Sequence, residues 1–384
     1  MRICTLLFFV FSSFAFAQGE PELKSSDLKK ISKYTGNWID AKIDGDSSKL
    51  SDAIMSLEEQ VVKMAKSSKG RNPLSYVYDW EIALHQERKY ATSGSTVKKG
   101  RVANVDFARA PYSVWLPKKY NPKKSSYPCV VLLGVKAASV IESLPAEVLE
   151  SMIILAPDIS SLSEDLALTM ETLISLIIPV SEASKSYHLD RMRLFMVGTD
   201  ELGSVIAAQW GAVMPHLFAG VTSTTDVTGK IVGNKNLELV ANTVMASAND
   251  AATWCAIQAR TNPYPLSFEF EIPWPQQSRV FWVHPVKSDS FEGELANIKV
   301  SVDRDSNTIS IDSTSVERVK LYLNDAIVDL DKPVIIVRNG IDYTYQPSRS
   351  VGTMLEVFAS SLDGAVFPAT IQEVDIPQAE KTQE

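Results

Sequence analysis

RMRLFMVGTDELGSVIAAQWGAV, residues 191–213, joins an apolar run to a helical stretch through one short turn. The run 191–198 lacks the in–out alternation of a half-solvated strand, as expected of a parallel strand covered on both faces. Residues 203–213 follow as a helix. Similar apolar runs recur on both sides: YSVWLP (112–117), PCVVLLG (128–134), MIILAP (152–157), FAGVTS (218–223) and LVANTVMAS (239–247). A further helical stretch fills 163–187. Strand–helix alternation over 101–275 predicts an α/β class, a doubly wound and mostly parallel sheet.

Outside this zone the pattern changes twice. Residues 18–100 are polar and lean to helix, most clearly over 50–66, where Leu50, Ile54, Leu57, Val61 and Met64 recur at helical spacing. Residues 276–377 read as an all-β module with period-2 strands: ANIKVSVD, NTISID, RVKLYLN, PVIIVRNG, IDYTYQ and MLEVFAS. Asn339-Gly340 between two of these is a hairpin turn, because both central residues must take positive φ. The last residues, 378–384, read as a disordered tail.

The first residues read as a secretory signal. Arg2 supplies the positive start, Ile3 to Phe16 the apolar core, and Ala15-Phe16-Ala17 the small residues at the peptidase positions. Gln18-Gly19-Glu20 cut the apolar stretch short of the roughly 20 residues a spanning helix needs. A protein beginning at Gln18 and exported to the periplasm or the medium is therefore expected, with no integral membrane segment. Of the three cysteines, Cys129 and Cys255 lie beyond the signal. Cys129 sits in an apolar run that suits a buried thiol, while an oxidising compartment would permit a Cys129–Cys255 bond. A net charge of −8 argues against nucleic acid as a partner. A small-molecule or polysaccharide-linked ligand remains compatible with it.

The central zone resembles the α/β-hydrolase superfamily, in particular the secreted branch related to feruloyl and D-type esterases. The matching residues come in the family's order. They are Tyr112 to Pro117 followed by Tyr120-Asn121-Pro122, Tyr127-Pro128 leading into VVLLG, Tyr187 to Arg193, and Pro215 to Gly220. The family carries its nucleophile on a G-x-S-x-G elbow, a strained strand-to-helix turn. Here that stretch is Gly198-Thr199-Asp200-Glu201-Leu202, with Gly203 next. Gly198 is kept, Asp200 stands where serine belongs, and Leu202 replaces the second small residue. Leu133-Gly134 stands where active members carry His-Gly.

The resemblance implies an acid at Asp250, after the strand LVANTVMAS, although the reading of a helix cap or turn residue is preferred there, since aspartate favours such positions. It also implies a base following the last strand of the sheet. That strand reads as LSFEFEI (266–272), and Pro273-Trp274 follow it without a histidine. The four histidines are His85, His188, His216 and His284, and His284, in VFWVHP, is the candidate base of an active enzyme. Two functions follow. The first is a catalytically degenerate protein with a binding or structural role at the cell envelope. The second is a hydrolase of esters or related bonds that uses Asp200 as a carboxylate nucleophile. On either reading Asp200 is expected at the mouth of a cleft, with no cation nearby.

Other motifs carry less. No cofactor loop is present, and no His/Cys/Asp/Glu cluster has metal-ligand spacing. Asp325, Asp329 and Asp331 suggest calcium but lack the EF-hand glycine and terminal glutamate, so they read as turn residues. Trp254, Trp274 and Trp282 with Phe268 and Phe281 would either line a ligand groove or pack the junction between sheet and β module; packing is preferred. N-terminal sequencing of exported material should return Gln18 as the first residue. A retained 1–17 segment that fractionates with membranes would overturn the export reading.

Overall fold

The apolar runs assemble into one seven-stranded sheet with helices on both faces, and the remaining strands into a second, separate pair of sheets. The computed structural model describes residues 22–67, 72–86, 90, 97–107, 109–260, 262–274, 279–287, 295–361 and 367–377. The signal segment 1–17 and the tail 378–384 lie outside the described residues.

Three helices come first: α1 (Ser25–Asp44), α2 (Ser47–Ser67) and α3 (Val77–Gln86). The central zone then runs β1 (Val102–Val105), β2 (Tyr112–Trp115), β3 (Tyr127–Leu133), α4 (Ala137–Val140), α5 (Ala146–Ser151) and β4 (Ile153–Pro157). It continues with α6 (Met170–Ser186), β5 (Leu189–Gly198), α7 (Glu201–Val213), β6 (Gly220–Ser223), β7 (Asn242–Val244) and α8 (Ala248–Cys255). The strand order is β1-β2-β4-β3-β5-β6-β7. Strand β2 is antiparallel to both neighbours, and β4, β3, β5, β6 and β7 are mutually parallel.

Alternate residues of the buried strands feed two different cores. Cys129, Val131 and Leu133 face a cluster with Leu176, Val180 and Ala183 of α6 and Val205 to Val213 of α7. Val130 and Leu132 face Ile141, Val148, Ala251 and Cys255 on the other side. The sheet is thus doubly wound, and its order fits the α/β-hydrolase-like sheet that the resemblance implies. Cys129 and Cys255 lie in cores on opposite faces, and both are free, buried thiols. Burial pushes the Cys129 thiol up to about 12.

The C-terminal strands are β8 (Ser267–Ile272), β9 (Val283–Lys287), β10 (Ala296–Asp303), β11 (Thr308–Thr314), β12 (Val316–Leu323), β13 (Val334–Arg338) and β14 (Ile341–Tyr345); helix α9 (Val351–Ser361) and β15 (Thr370–Asp375) follow. They form a five-stranded sheet, β14-β13-β11-β10-β8, and a three-stranded one, β15-β12-β9. Phe268, Phe270, Ile298, Val319 and Leu321 share the core between them. Asn339 and Gly340 take φ of 45° and 82° and close the β13–β14 hairpin.

Two sequence expectations need correction. LSFEFEI is β8, and it pairs antiparallel with β10 of the C-terminal sheet, so the parallel sheet ends at β7. Its alternation of Phe268, Phe270 and Ile272 with outward Ser267, Glu269 and Glu271 is that of a strand covered on one face. MLEVFAS is not a strand but lies in α9. Val351, Met354, Leu355 and Phe358 are buried at i, i+3, i+4 and i+7, a helical stripe that competes with the period-2 reading over so short a run. That stripe packs on Ile31, Trp38, Leu57 and Trp80 of α1, α2 and α3. The two ends of the chain therefore share one core.

The β module docks where the parallel strands begin. Asn236, in the segment before β7, is buried there. Its Nδ2 donates to the carbonyls of Ala212 (3.0 Å) and Glu271 (2.7 Å), and its Oδ1 accepts from Glu271 N (2.8 Å). His216, before β6, faces Phe281 at 6.1 Å. Of the five aromatic residues, Phe268, Phe281 and Trp282 are buried in the β-module core, Trp274 is buried edge-on against Trp210 of α7, and Trp254 is half-buried against the core on the other face of the sheet. Phe358→Ala should destabilise the full chain by about 3–5 kcal/mol in denaturant titration. Glu356→Ala, which removes the exposed Lys42 ion pair, should cost less than about 1 kcal/mol. Equal effects would contradict the shared core.

Candidate functional site

The turn between β5 and α7 is built by three glycines at a point where backbones nearly touch. A Cβ on Gly203 would sit 2.0 Å from the Leu133 carbonyl oxygen, and one on Gly198 would sit 2.4 Å from the Ser204 Cα. A Cβ on Gly134 would sit 2.2 Å from Thr199 Oγ1 and 2.9 Å from Asp200 Oδ2. The end of β3, the end of β5 and the first turn of α7 thus meet with no room for side chains. Thr199 closes the crossing, its amide (2.7 Å) and hydroxyl (3.1 Å) both donating to the Leu133 carbonyl.

Asp200 is the N-cap of α7, with φ −147° and ψ −176°. This is relaxed extended backbone; the strained conformation of a nucleophile elbow is absent. Its carboxylate is half-buried and engaged on both oxygens. Oδ1 accepts from Gly203 N at 2.8 Å and Oδ2 from Val135 N at 2.7 Å. Among the described residues these two amides are its side-chain hydrogen-bond partners, and no histidine joins them. Asp200 is thus half-buried rather than fully exposed, with its carboxylate bonded at the crossing of β3 and α7.

The other sequence candidates are scattered. Asp250 lies in the first turn of α8, where its amide donates to Ser247 Oγ (3.2 Å) and its carboxylate accepts from that hydroxyl (2.7 Å). This is a reciprocal helix cap, exposed, at the carboxyl edge of the sheet. Two strand spacings, about 10 Å, separate β7 from β5. His284 is on β9, opposite Lys320 of β12 in the three-stranded sheet, in the module that docks at the amino edge. His216 lies at that amino edge too, one length of α7 away from Asp200, about 20 Å at 1.5 Å per residue. His188 precedes β5, stacks on Tyr90 at 4.3 Å and meets the Pro122 carbonyl through Nδ1 at 2.9 Å. The length of β5, roughly 30 Å, lies between it and Asp200. His85 belongs to α3, and its side chain lies outside the described residues.

Three acids follow Asp200 or nearby strands at the carboxyl edge. Asp158 follows β4, Glu201 follows Asp200, and Asp226 follows β6. Hydrogen bonding to Ser160 lowers the pKa of Asp158, and the Thr228 backbone amide lowers that of Asp226. One cation does approach, against expectation. Lys230 bridges Glu201 (2.7 Å) and Glu164 (2.8 Å), and its hydrogen bond lowers the Glu201 pKa. It comes from the loop after β6, 29 positions along the chain, so local sequence gave no sign of it. No group of three or more potential metal ligands occurs among the described residues. Asp325 and Asp331 instead pair with buried Arg349, and Asp329 pairs with Lys332.

No family model matches the chain, and no curated protein sequence matches it. Solved structures with partial similarity include a thermostable esterase, 17% identical with a TM-score of 0.32, covering 42% of this chain and 63% of that one. A CE1 ferulic acid esterase from Anaeromyces mucronatus is 22% identical with a TM-score of 0.26, covering 35% and 61%. An arylesterase is 12% identical with a TM-score of 0.24, covering 49% and 56%. This chain spans less than two thirds of the length of each. The fold assignment rests on the strand order and the glycine crossing.

Gly203→Ala tests that crossing by sign. Helix propensity alone would stabilise by about 1 kcal/mol, whereas the clash with the Leu133 carbonyl should destabilise by about 1–3 kcal/mol. Gly229→Ala, with nothing within 4 Å of its Cβ, should be nearly neutral in the same thermal or denaturant assay.

Proposed function

We propose that this is an exported protein on an α/β-hydrolase scaffold that has lost hydrolytic chemistry and serves in binding or structure at the cell envelope. The observation that carries the reading is the hydrogen bonding of Asp200. A carboxylate nucleophile must turn a lone pair of one oxygen toward an electrophilic carbon, and a histidine must then activate water on the ester intermediate. Both oxygens of Asp200 are committed to backbone amides. The histidines with described side chains lie at the amino edge or in the β module docked there.

The electrostatics agree. Ester hydrolysis develops negative charge on the substrate's carbonyl oxygen, and active sites meet it with donors. Here that oxygen would meet Asp200 and Glu201 side by side. Lys230 is shared between Glu201 and Glu164. The reading of Asp200 as nucleophile finds no support in this arrangement.

The partner class proposed is a small molecule or a polysaccharide-linked ligand, with nucleic acid disfavoured by the net charge of −8. Purified protein should hydrolyse short p-nitrophenyl esters no faster than its Asp200→Asn variant. Asp200→Ser should stay inactive, because no base stands beside the new hydroxyl. A wild-type rate well above Asp200→Asn, with a covalent ester trapped on Asp200, would make the protein a hydrolase.

A further inference from the structure

An edge strand leaves every second residue's amide and carbonyl without a ladder partner, and proteins cover or cap such edges to prevent pairing. Three edges of the β module are dealt with in this way. On β8, Asn236 takes both backbone groups of Glu271. On β9, Pro285 has no amide to give. On β15, the Glu373 carbonyl accepts from Gln372 Nε2 at 2.6 Å and the Asp375 carbonyl from Arg338 at 2.8 Å. The fourth edge is β14, the hairpin partner of β13, and it is exposed from Ile341 to Thr344. The amides of Ile335 and Asn339 donate to carbonyls of Asn307 and Ile311 on the β11 side. Val334, Ile336 and Arg338 therefore turn their backbones to β14 and bond Tyr345, Tyr343 and Ile341. The backbones of Asp342 and Thr344 point outward, and among the described residues nothing bonds them.

We propose that β14 is a self-docking edge: two copies of this chain pair β14 antiparallel to β14 about a twofold axis at Tyr343, joining their five-stranded sheets into one. The register is self-complementary. Asp342 and Thr344 of one copy stand opposite Thr344 and Asp342 of the second, so every outward amide and carbonyl of both strands is used. Tyr343 meets its counterpart in a pair without hydrogen bonds, where side chains come closest, and Ile341 meets Tyr345. Charge selects the same register. Asp342 is the one charged residue of β14, and like charges directly opposite destabilise a strand pair. In this register it faces the Thr344 hydroxyl, a donor. A slip of two residues one way sets Asp342 against itself; the other way carries the pairing past Tyr345, where the strand ends. The apolar side chains fit too. Ile341 and Tyr343 are 53% and 36% exposed, on the face where Tyr345 Oη meets Thr370 Oγ1 of β15 at 2.8 Å. Arg338 lies over the Tyr343 ring at 5.2 Å. Pairing carries this stripe across the axis and covers both residues. A contact of five residues a side is small for a specific interface, so the dimer is weak and forms with rising concentration.

Sedimentation equilibrium of the full purified chain, from micromolar to millimolar concentration, tests this. The mass should pass from that of one chain toward that of two. Thr344→Asp sets acids opposite each other at both ends of the pairing and should weaken self-association about tenfold or more. Asp342→Lys combined with Thr344→Asp makes both pairs opposite in charge and should restore it. Ser267→Asp, the same charge change on β8 at the far edge of the sheet, should leave it unchanged. Tyr343→Cys should give a disulfide-linked dimer on mild oxidation, because the Cα atoms of that pair stand about 4.5 Å apart, within disulfide reach. Ser267→Cys should not, and the native Cys129 and Cys255 are buried. A mass of one chain at every concentration would overturn the proposal, as would a dimer that Thr344→Asp leaves intact. Should Thr344→Asp not fold, Thr344→Pro takes its place with the same expected loss, since it removes an outward amide and no bond to β13. None of these readings depends on what Asp200 does.

Discussion

The carbonyl of Leu133 is the point on which the central sheet is organised. It accepts the amide and hydroxyl of Thr199 at the end of β5, and the first turn of α7 passes directly over it. That approach is possible only because Gly203 carries no side chain, and Gly198 and Gly134 clear the flanks. Tight packing here sets the angle at which α7 leaves the sheet. It also brings the loop after β3 within hydrogen-bond range of the α7 cap. Dense interiors tolerate little added volume, so the glycines serve the architecture whether or not any chemistry is done there. The close packing of this turn therefore needs no chemistry to explain it.

The layout of the chain places the rest. In a parallel sheet wound on both faces, every strand-to-helix turn falls at the carboxyl edge and every helix-to-strand turn at the amino edge. Asp200 and Asp250 lie at the first, His188 and His216 at the second. The β module, with His284, docks at the second through Asn236 and the buried aromatic junction. Helix α9 then returns to the N-terminal helices and closes a core shared by both ends of the chain. The consequence is chemical: the candidate acids Asp200 and Asp250 lie at one edge, and the three histidines with described side chains belong to the other edge or to the module docked on it.

Much of this was legible in the residues. Runs that are apolar throughout announced buried parallel strands, and Asn339-Gly340 announced its hairpin. What failed did so for physical reasons. The alternating Phe268, Phe270 and Ile272 fit an edge strand of either sheet, and only pairing partners decide between them. Val351, Met354, Leu355 and Phe358 satisfy a helix, but over seven residues MLEVFAS also passes for a strand. At the site, aspartate in the position where the resembled family carries serine, and Pro273-Trp274 without a histidine, could be read directly from the residues. The ambivalence of Asp250 between acid and cap was visible too. The Val135 bond to Asp200 and the Lys230 bridge were not, since each joins residues dozens of positions apart through backbone geometry that composition does not encode.

The central claim is that Asp200 belongs to the scaffold and not to a catalytic pair. The most direct measurement is an experimental structure of the purified protein with the surroundings of Asp200 resolved. The account predicts its carboxylate bonded to the amides of Val135 and Gly203, with every histidine ring beyond reach. A histidine ring nitrogen within about 3.2 Å of that carboxylate, the distance at which a general base works, would contradict it.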